Sequence, residues 1–175
     1  CPADDVEARA AVKAAYAYNG PVYLRFGRLA IPVFHDEEKY HFEIGKGEQL
    51  TEGDDVAIIA TGLMVNEALI AAGTLAEKGI HARVINICTI KPLDEEIVVK
   101  AAKECGKVIT CEEHSIIGGL GEAVAGVLAE KCPTAMRRIG VNDEFGHSGP
   151  AWEVLRQFGL CADHIVEVAE EFVRK

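Results

Sequence analysis

The chain has 175 residues, 49% hydrophobic and 26% charged, a composition ordinary for a globular protein and long enough for one full domain and part of another. Its net charge of −10 argues against nucleic acid or an anionic membrane as a general partner, since both require a basic face. No apolar run is long enough to span a bilayer, and no signal peptide opens the sequence.

A domain of this size buries about 70% of its unfolded surface and needs no disulfide or metal staple. The six cysteines form no CxxC pair and fall mostly in apolar runs, so reduced, buried thiols and a cytoplasmic setting are expected. The sequence starts at Cys1-Pro2 without methionine and runs straight into a helical pattern, so preceding residues of a longer polypeptide are expected.

Asp4-Asp5 followed by Val6, Ala10, Val12 and Ala15 predicts a helix reaching about Asn19-Gly20, with acids placed against the positive end of the helix dipole. Residues 21–26 read as a strand. One helix and one strand cannot make a core, so residues 1–34 are expected to be the tail of a preceding domain. Residues 35–53 are polar and glycine-punctuated, and read as a linker with a short strand at 41–44. From residue 54 onward the pattern is regular. Strands are expected at 56–60, 83–87, 108–111 and 137–141, with a helix after each of the first three. Val65, Leu69, Ala72 and Leu75 mark the first of these helices. Asp94 is a good N-cap for the second, which Gly106 ends. The third follows Gly118-Gly119-Leu120-Gly121. Two more helices close the chain, one with Trp152, Leu155 and Phe158, the other with Ile165, Ala169, Phe172 and Val173. Alternating helices and near-continuous apolar strands predict an α/β sandwich around a mainly parallel sheet.

Ligands of open α/β sheets sit at the carboxyl ends of the strands. Here those ends carry Thr61-Gly62, Cys88-Thr89, Glu112-Glu113-His114 and Asn142-Asp143. The glycine turn at 118–121 is not GxGxxG and lacks the Lys-Ser/Thr of a phosphate loop, so a packing role is favoured over nucleotide binding. Glu112 and His114 alternate onto one face of a strand, but a third metal ligand is missing, and a structural cluster is expected instead. Arg25 and Arg28 offer planar donors suited to phosphate or carboxylate, with an ordinary surface arginine or an inter-domain salt bridge as the alternative. His147 in Gly146-His147-Ser148-Gly149 could reach a ligand or be a plain loop residue. No nucleophile–base pair is visible.

Three stretches together carry a family resemblance: Thr61-Gly62 opening a helix; Ile85-Asn86-Ile87-Cys88-Thr89-Ile90-Lys91-Pro92-Leu93-Asp94; and Glu112-Glu113-His114 with Gly118-Gly119-Leu120-Gly121-Glu122-Ala123. In this order and spacing they resemble the transketolase family, and most closely its C-terminal chains in enzymes split over two polypeptides. Phe145-Gly146-His147-Ser148-Gly149 with Leu155 and Phe158-Gly159 fits the same pattern.

The resemblance implies a thiamine diphosphate enzyme, with Mg²⁺ or Ca²⁺, that moves a two-carbon ketol unit between sugar phosphates, as in the pentose phosphate pathway. It implies that residues 1–34 end the pyrimidine-binding domain, and that residues 54–175 form a C-terminal domain. That domain would be a three-layer α/β/α sandwich with a five-stranded sheet whose first strand, residues 41–44, is antiparallel. It implies a cofactor-binding N-terminal partner chain or domain and a homodimer of the assembled enzyme. The chain alone would hold no cofactor or metal, contain no catalytic residue, and be inactive. Arg28, four residues before Pro32, falls where the family keeps a substrate-phosphate arginine, and Arg25 is the weaker candidate. Cys88 stands where deoxyxylulose phosphate synthases and 2-oxoacid dehydrogenase beta subunits often carry arginine, which favours transketolase over those alternatives. A stand-alone dimerisation module is the non-enzymatic reading.

Overall fold

The structure, a computed structural model, describes residues 1–174. Helix α1 spans Asp5–Ala17, and its cap residue Asp4 accepts a hydrogen bond from the Glu7 amide, relieving one of the orphan donors of the first turn. The chain then stays irregular until strand β1, Glu48–Gln49. Four alternations follow: β2 (Val56–Ala60), α2 (Met64–Glu77), β3 (Ala82–Asn86), α3 (Glu95–Cys105), β4 (Lys107–Ser115), α4 (Leu120–Lys131), β5 (Ala135–Val141) and α5 (Ala151–Gln157). Helix α6 (Ala162–Arg174) ends the described chain.

The strands form one sheet in the order β1-β3-β2-β4-β5, with β1 antiparallel to β3 and every other pair parallel. Strands β2 and β3 are buried along their whole length, which explains why they read as unbroken apolar runs rather than alternating ones. Alternate side chains feed two cores. Ile58, Val84, Ile109 and Cys111 pack with α2 and α6, while Ala57, Ile59, Ile85 and Val108 pack with α3 and α4. The three-layer sandwich is therefore as expected.

Helix α3 begins at Asp94, whose carboxylate accepts from the Ile97 amide, and ends at Gly106 in the left-handed conformation at φ 68°. Lys107 reaches the last turn of α6, donating to the carbonyls of Phe172 and Val173 at 2.8 and 2.9 Å.

Three expectations need correction. Residues 21–26 form no strand, because no neighbouring strand lies alongside to pair their N–H and C=O groups; Val22, Tyr23 and Phe26 are exposed. The antiparallel first strand lies at Glu48–Gln49, paired with Asn86 and Ile85, and not at 41–44. Gly47, just before it, lies close to the sheet: a Cβ there would be 2.6 Å from Ile87 Cδ1 and 3.2 Å from the Asn86 carbonyl oxygen. Finally, β4 does not end at 111 but runs on through Glu112, Glu113 and His114 to Ser115.

Candidate functional site

The sheet reverses its winding between β2 and β4. From β2 the chain moves outward to β3, and from β4 it moves outward the other way to β5. The crevice at the carboxyl ends of such a pair is the natural ligand position of an open α/β sheet. The residues there are Thr61-Gly62 after β2 and Glu112-Glu113-His114 on β4.

Glu112 is committed to structure. Its carboxylate is buried, and it accepts from the amides of Leu120 and Gly121, both at 2.8 Å, at the start of α4. Burial pushes this carboxyl upward in pKa, while the two amides and the charges of Arg138 and Arg25 pull it back. A Cβ at Gly119 would lie 1.9 Å from Glu112 Oε2, so only glycine fits beside it. The positive end of α4, where phosphate loops seat an anion, is thus already filled by the chain's own carboxylate. This is the packing role expected for the glycine turn.

The irregular segment after α1 lies over the same crevice. Arg25 is half-buried; its Nη2 donates to the Cys1 sulfur at 3.0 Å and lies 3.8 Å from where a Gly62 Cβ would stand. Gly27 faces Glu113, whose Oε2 would be 3.9 Å from a Cβ at that position. Burial raises the Glu113 carboxyl, opposed by Arg25. Burial lowers the His114 imidazole, and Arg25 pushes it the same way. Arg28 is exposed and makes no hydrogen bond or ion pair with the described residues. The two arginines therefore differ. Arg25 is engaged with its surroundings, and Arg28, next to Gly27 in the chain, is exposed.

Cys88, after β3, is buried, and burial together with the nearby Glu7 charge pushes its thiol up to about 12, so it is no nucleophile at neutral pH. His147 stacks on Phe158 at a ring separation of 5.4 Å. The described residues contain no group of three His, Cys, Asp or Glu side chains placed to hold a metal.

A second polar cluster was not visible in the sequence. Glu7, buried on α1, accepts from the Ala3 amide at 2.6 Å, from Asn86 Nδ2 at 2.8 Å and from the Tyr40 hydroxyl. Desolvation and the Glu7 carboxylate raise the Tyr40 phenol, which stays protonated as a donor. Asp4 accepts from the amides of Phe34 and His35 at 3.0 and 2.9 Å. These partners lie up to 79 residues apart, so no local spacing announces them. Only the acids in the first turn of α1 were legible, and they read as dipole complements.

A family model described as the transketolase C-terminal domain matches residues 45–165. The chain belongs to the transketolase family. It is 46% identical to the 6-deoxy-6-sulfo-D-fructose transketolase subunit SqwH of Clostridium sp. strain MSTE9, covering 99% of this chain and 54% of that protein. It is 45% identical to 1-deoxy-D-xylulose-5-phosphate synthase 1 of Geobacter sulfurreducens, over 98% of this chain and 28% of that one. Among solved structures, a split gene transketolase described as an inactive beta4 tetramer superposes with a TM-score of 0.94 at 44% identity, covering 99% of this chain and 56% of that one. The chain thus spans about half the length of the transketolase subunits it matches. Its five-stranded sheet with an antiparallel edge is the fold of the transketolase C-terminal domain.

Proposed function

We propose that this chain is the C-terminal part of a thiamine diphosphate-dependent transketolase that transfers a two-carbon ketol unit between sugar phosphates. The observation that carries the reading is the match over 99% of the chain to a transketolase subunit and to a split-gene transketolase. In this reading residues 1–34 complete a pyrimidine-binding domain, residues 35–53 link it, and residues 54–175 are scaffold and subunit contact. Thiamine diphosphate and its Mg²⁺ or Ca²⁺ are held by a separate cofactor-binding chain or domain, in a cytoplasmic enzyme that assembles as a homodimer of the pair. The cofactor supplies the electron sink for the cleaved ketose; this chain supplies Arg28 to grip the substrate anion, with Arg25 behind it. Alone, the chain is inactive. The name of the Clostridium relative carries a sulfo group rather than a phosphate on its sugar. An arginine fork suits either oxyanion.

The match to the Geobacter synthase supports a second reading, in which the complete enzyme takes pyruvate and makes deoxyxylulose phosphate. The full-length chain, mixed with its cofactor-binding partner, separates the two. Turnover of xylulose 5-phosphate with ribose 5-phosphate supports transketolase, and turnover that requires pyruvate supports the synthase. Ketol transfer by this chain without any partner would overturn both.

A further inference from the structure

We propose that Glu113 is a positioning residue: with Arg25 it fixes the turn that carries Arg28 over the crevice between β2 and β4. The inference rests on the reading of Arg28 as the substrate-anion grip.

The segment that carries Arg28 has no ladder to hold it. Residues 18–34 belong to no helix or strand, so their position depends on side-chain anchors. Downstream of Arg28 the anchors are plain. Leu29, Ile31 and Phe34 pack on the core beneath α2 and α6, and the amides of Phe34 and His35 donate to Asp4. Upstream they are few. The Arg25 guanidinium meets the Cys1 sulfur, a weak acceptor for a group with five donors. Gly27, immediately before Arg28, faces Glu113.

The approach of its carboxylate to Gly27 places Glu113 on the side of β4 under the irregular segment. Glu112 turns toward α4. Ile109 and Cys111 belong to the opposite core, which also receives Ala3, Leu29 and Ile31. Glu113, in the stretch between Cys111 and Ser115 where the register with β5 shifts, turns its carboxylate toward Gly27 on that same side. Its carboxylate is half-buried yet makes no hydrogen bond or ion pair with the described residues. A partly desolvated carboxylate without compensation is costly, and the cation whose charge reaches it is Arg25. The same guanidinium acts on Glu112 and His114. Arg25 therefore sits in a field made by Glu112, Glu113 and the polarisable Cys1 sulfur, two residues before Gly27. Neutralising Glu113 removes the charge that holds the turn without removing any group that touches substrate.

The test uses the complete enzyme, assembled with its cofactor-binding chain, in four forms: wild type, Arg28→Ala, Glu113→Gln and the double variant. The readout is kcat/KM for ribose 5-phosphate divided by that for ribose, which isolates recognition of the anion from ketol chemistry. Glu113→Gln is expected to lower this ratio roughly tenfold, the scale of one weakened charged hydrogen bond. It should lower the ratio no further in the Arg28→Ala background, and Glu113→Asp should recover part of the loss. A fall shared equally by both acceptors, or an effect additive with Arg28→Ala, overturns the inference. If Arg28→Ala itself leaves the ratio unchanged, the Arg28 reading fails, a result distinct from failure of Glu113 alone. Should Glu113→Gln fail to assemble, Arg25→Lys carries the same test. It keeps the charge, loses the planar fork, and is expected to lower the ratio in the same non-additive way.

Discussion

His35 Nδ1 lies 3.0 Å from Asp4 Oδ2, with both side chains shielded from water. The other ring nitrogen lies 3.0 Å from Glu48 Oε2 on β1. One imidazole thus ties the start of α1 to the edge of the sheet. Burial alone would lower its pKa, but the contacts with Glu48 and Asp4 and the charges of Asp4 and Glu7 outweigh burial and lift it to about 9. The folded value exceeds the unfolded one, so this stabilisation is complete below about pH 6.5 and is lost as pH rises through about 9. The urea midpoint of the wild type should therefore fall between pH 6.5 and 9.5, and His35→Gln should flatten that fall. His35→Ala at pH 6.5 should cost about 3 kcal/mol, since it leaves Asp4 buried without its cation. An unchanged pH profile in His35→Gln would remove the ring from this role.

Glu112 fills the N-terminus of α4, and its removal leaves two buried amides and a space shaped for an anion. Glu112→Ala should lose about 3 kcal/mol from the unsatisfied donors and the void. Sulfate should then raise its melting temperature more than it raises that of the wild type, because a bound oxyanion replaces the lost carboxylate. Chloride at matched ionic strength is the control. Equal sulfate shifts in both proteins would show that the amides are not available to an external anion.

Glu7 joins α1 to Tyr40 and to Asn86 of β3. Glu7→Ala should loosen α1 from the sheet while leaving the parallel strands intact. Limited proteolysis reads this directly: cleavage within residues 18–34 should accelerate, while a fragment containing residues 54–174 persists. If the variant is cut no faster than wild type, α1 is held by Ala3 and Val6 rather than by the polar cluster.

Arg28→Ala should raise KM for ribose 5-phosphate in the assembled enzyme while sparing affinity for thiamine diphosphate. Loss of a charged contact to phosphate is worth on the order of 1.5–3 kcal/mol, a rise of roughly ten- to a hundredfold. Steady-state kinetics at varied acceptor, together with a cofactor titration, checks both halves.

Strands β2 and β3 were legible because each is buried on two faces. A chain segment with no solvent side must be apolar throughout, and short runs such as Val56-Ala57-Ile58-Ile59-Ala60 show that directly. The helix ends at Asp94 and Gly106 were equally plain, since capping depends on side chains in the local sequence. Residues 21–26 misled for the opposite reason: Val22-Tyr23-Leu24 has strand composition, but strand formation depends on a neighbour that composition does not report. The first strand went astray because His41-Phe42-Glu43-Ile44 alternates well, whereas pairing with the sheet edge falls to Glu48-Gln49, which composition does not report. Glu112 lies past the strand end that the sequence predicts because a carboxylate in a buried strand is unfavourable by itself; the amides that donate to it lie eight and nine residues on, in a direction only the fold reveals. Of the two arginines, sequence alone could not say that Arg25 turns inward and Arg28 outward.

Because an internal carboxylate plugs the α4 terminus, free phosphate metabolites find no docking place among the backbone amides there. On the proposed reading of Arg28, discrimination over charged small molecules falls to one loosely supported stretch of main chain. Evolution could then retune the preferred acceptor by altering the props beneath that stretch, leaving both the sheet and the outward-facing guanidinium untouched.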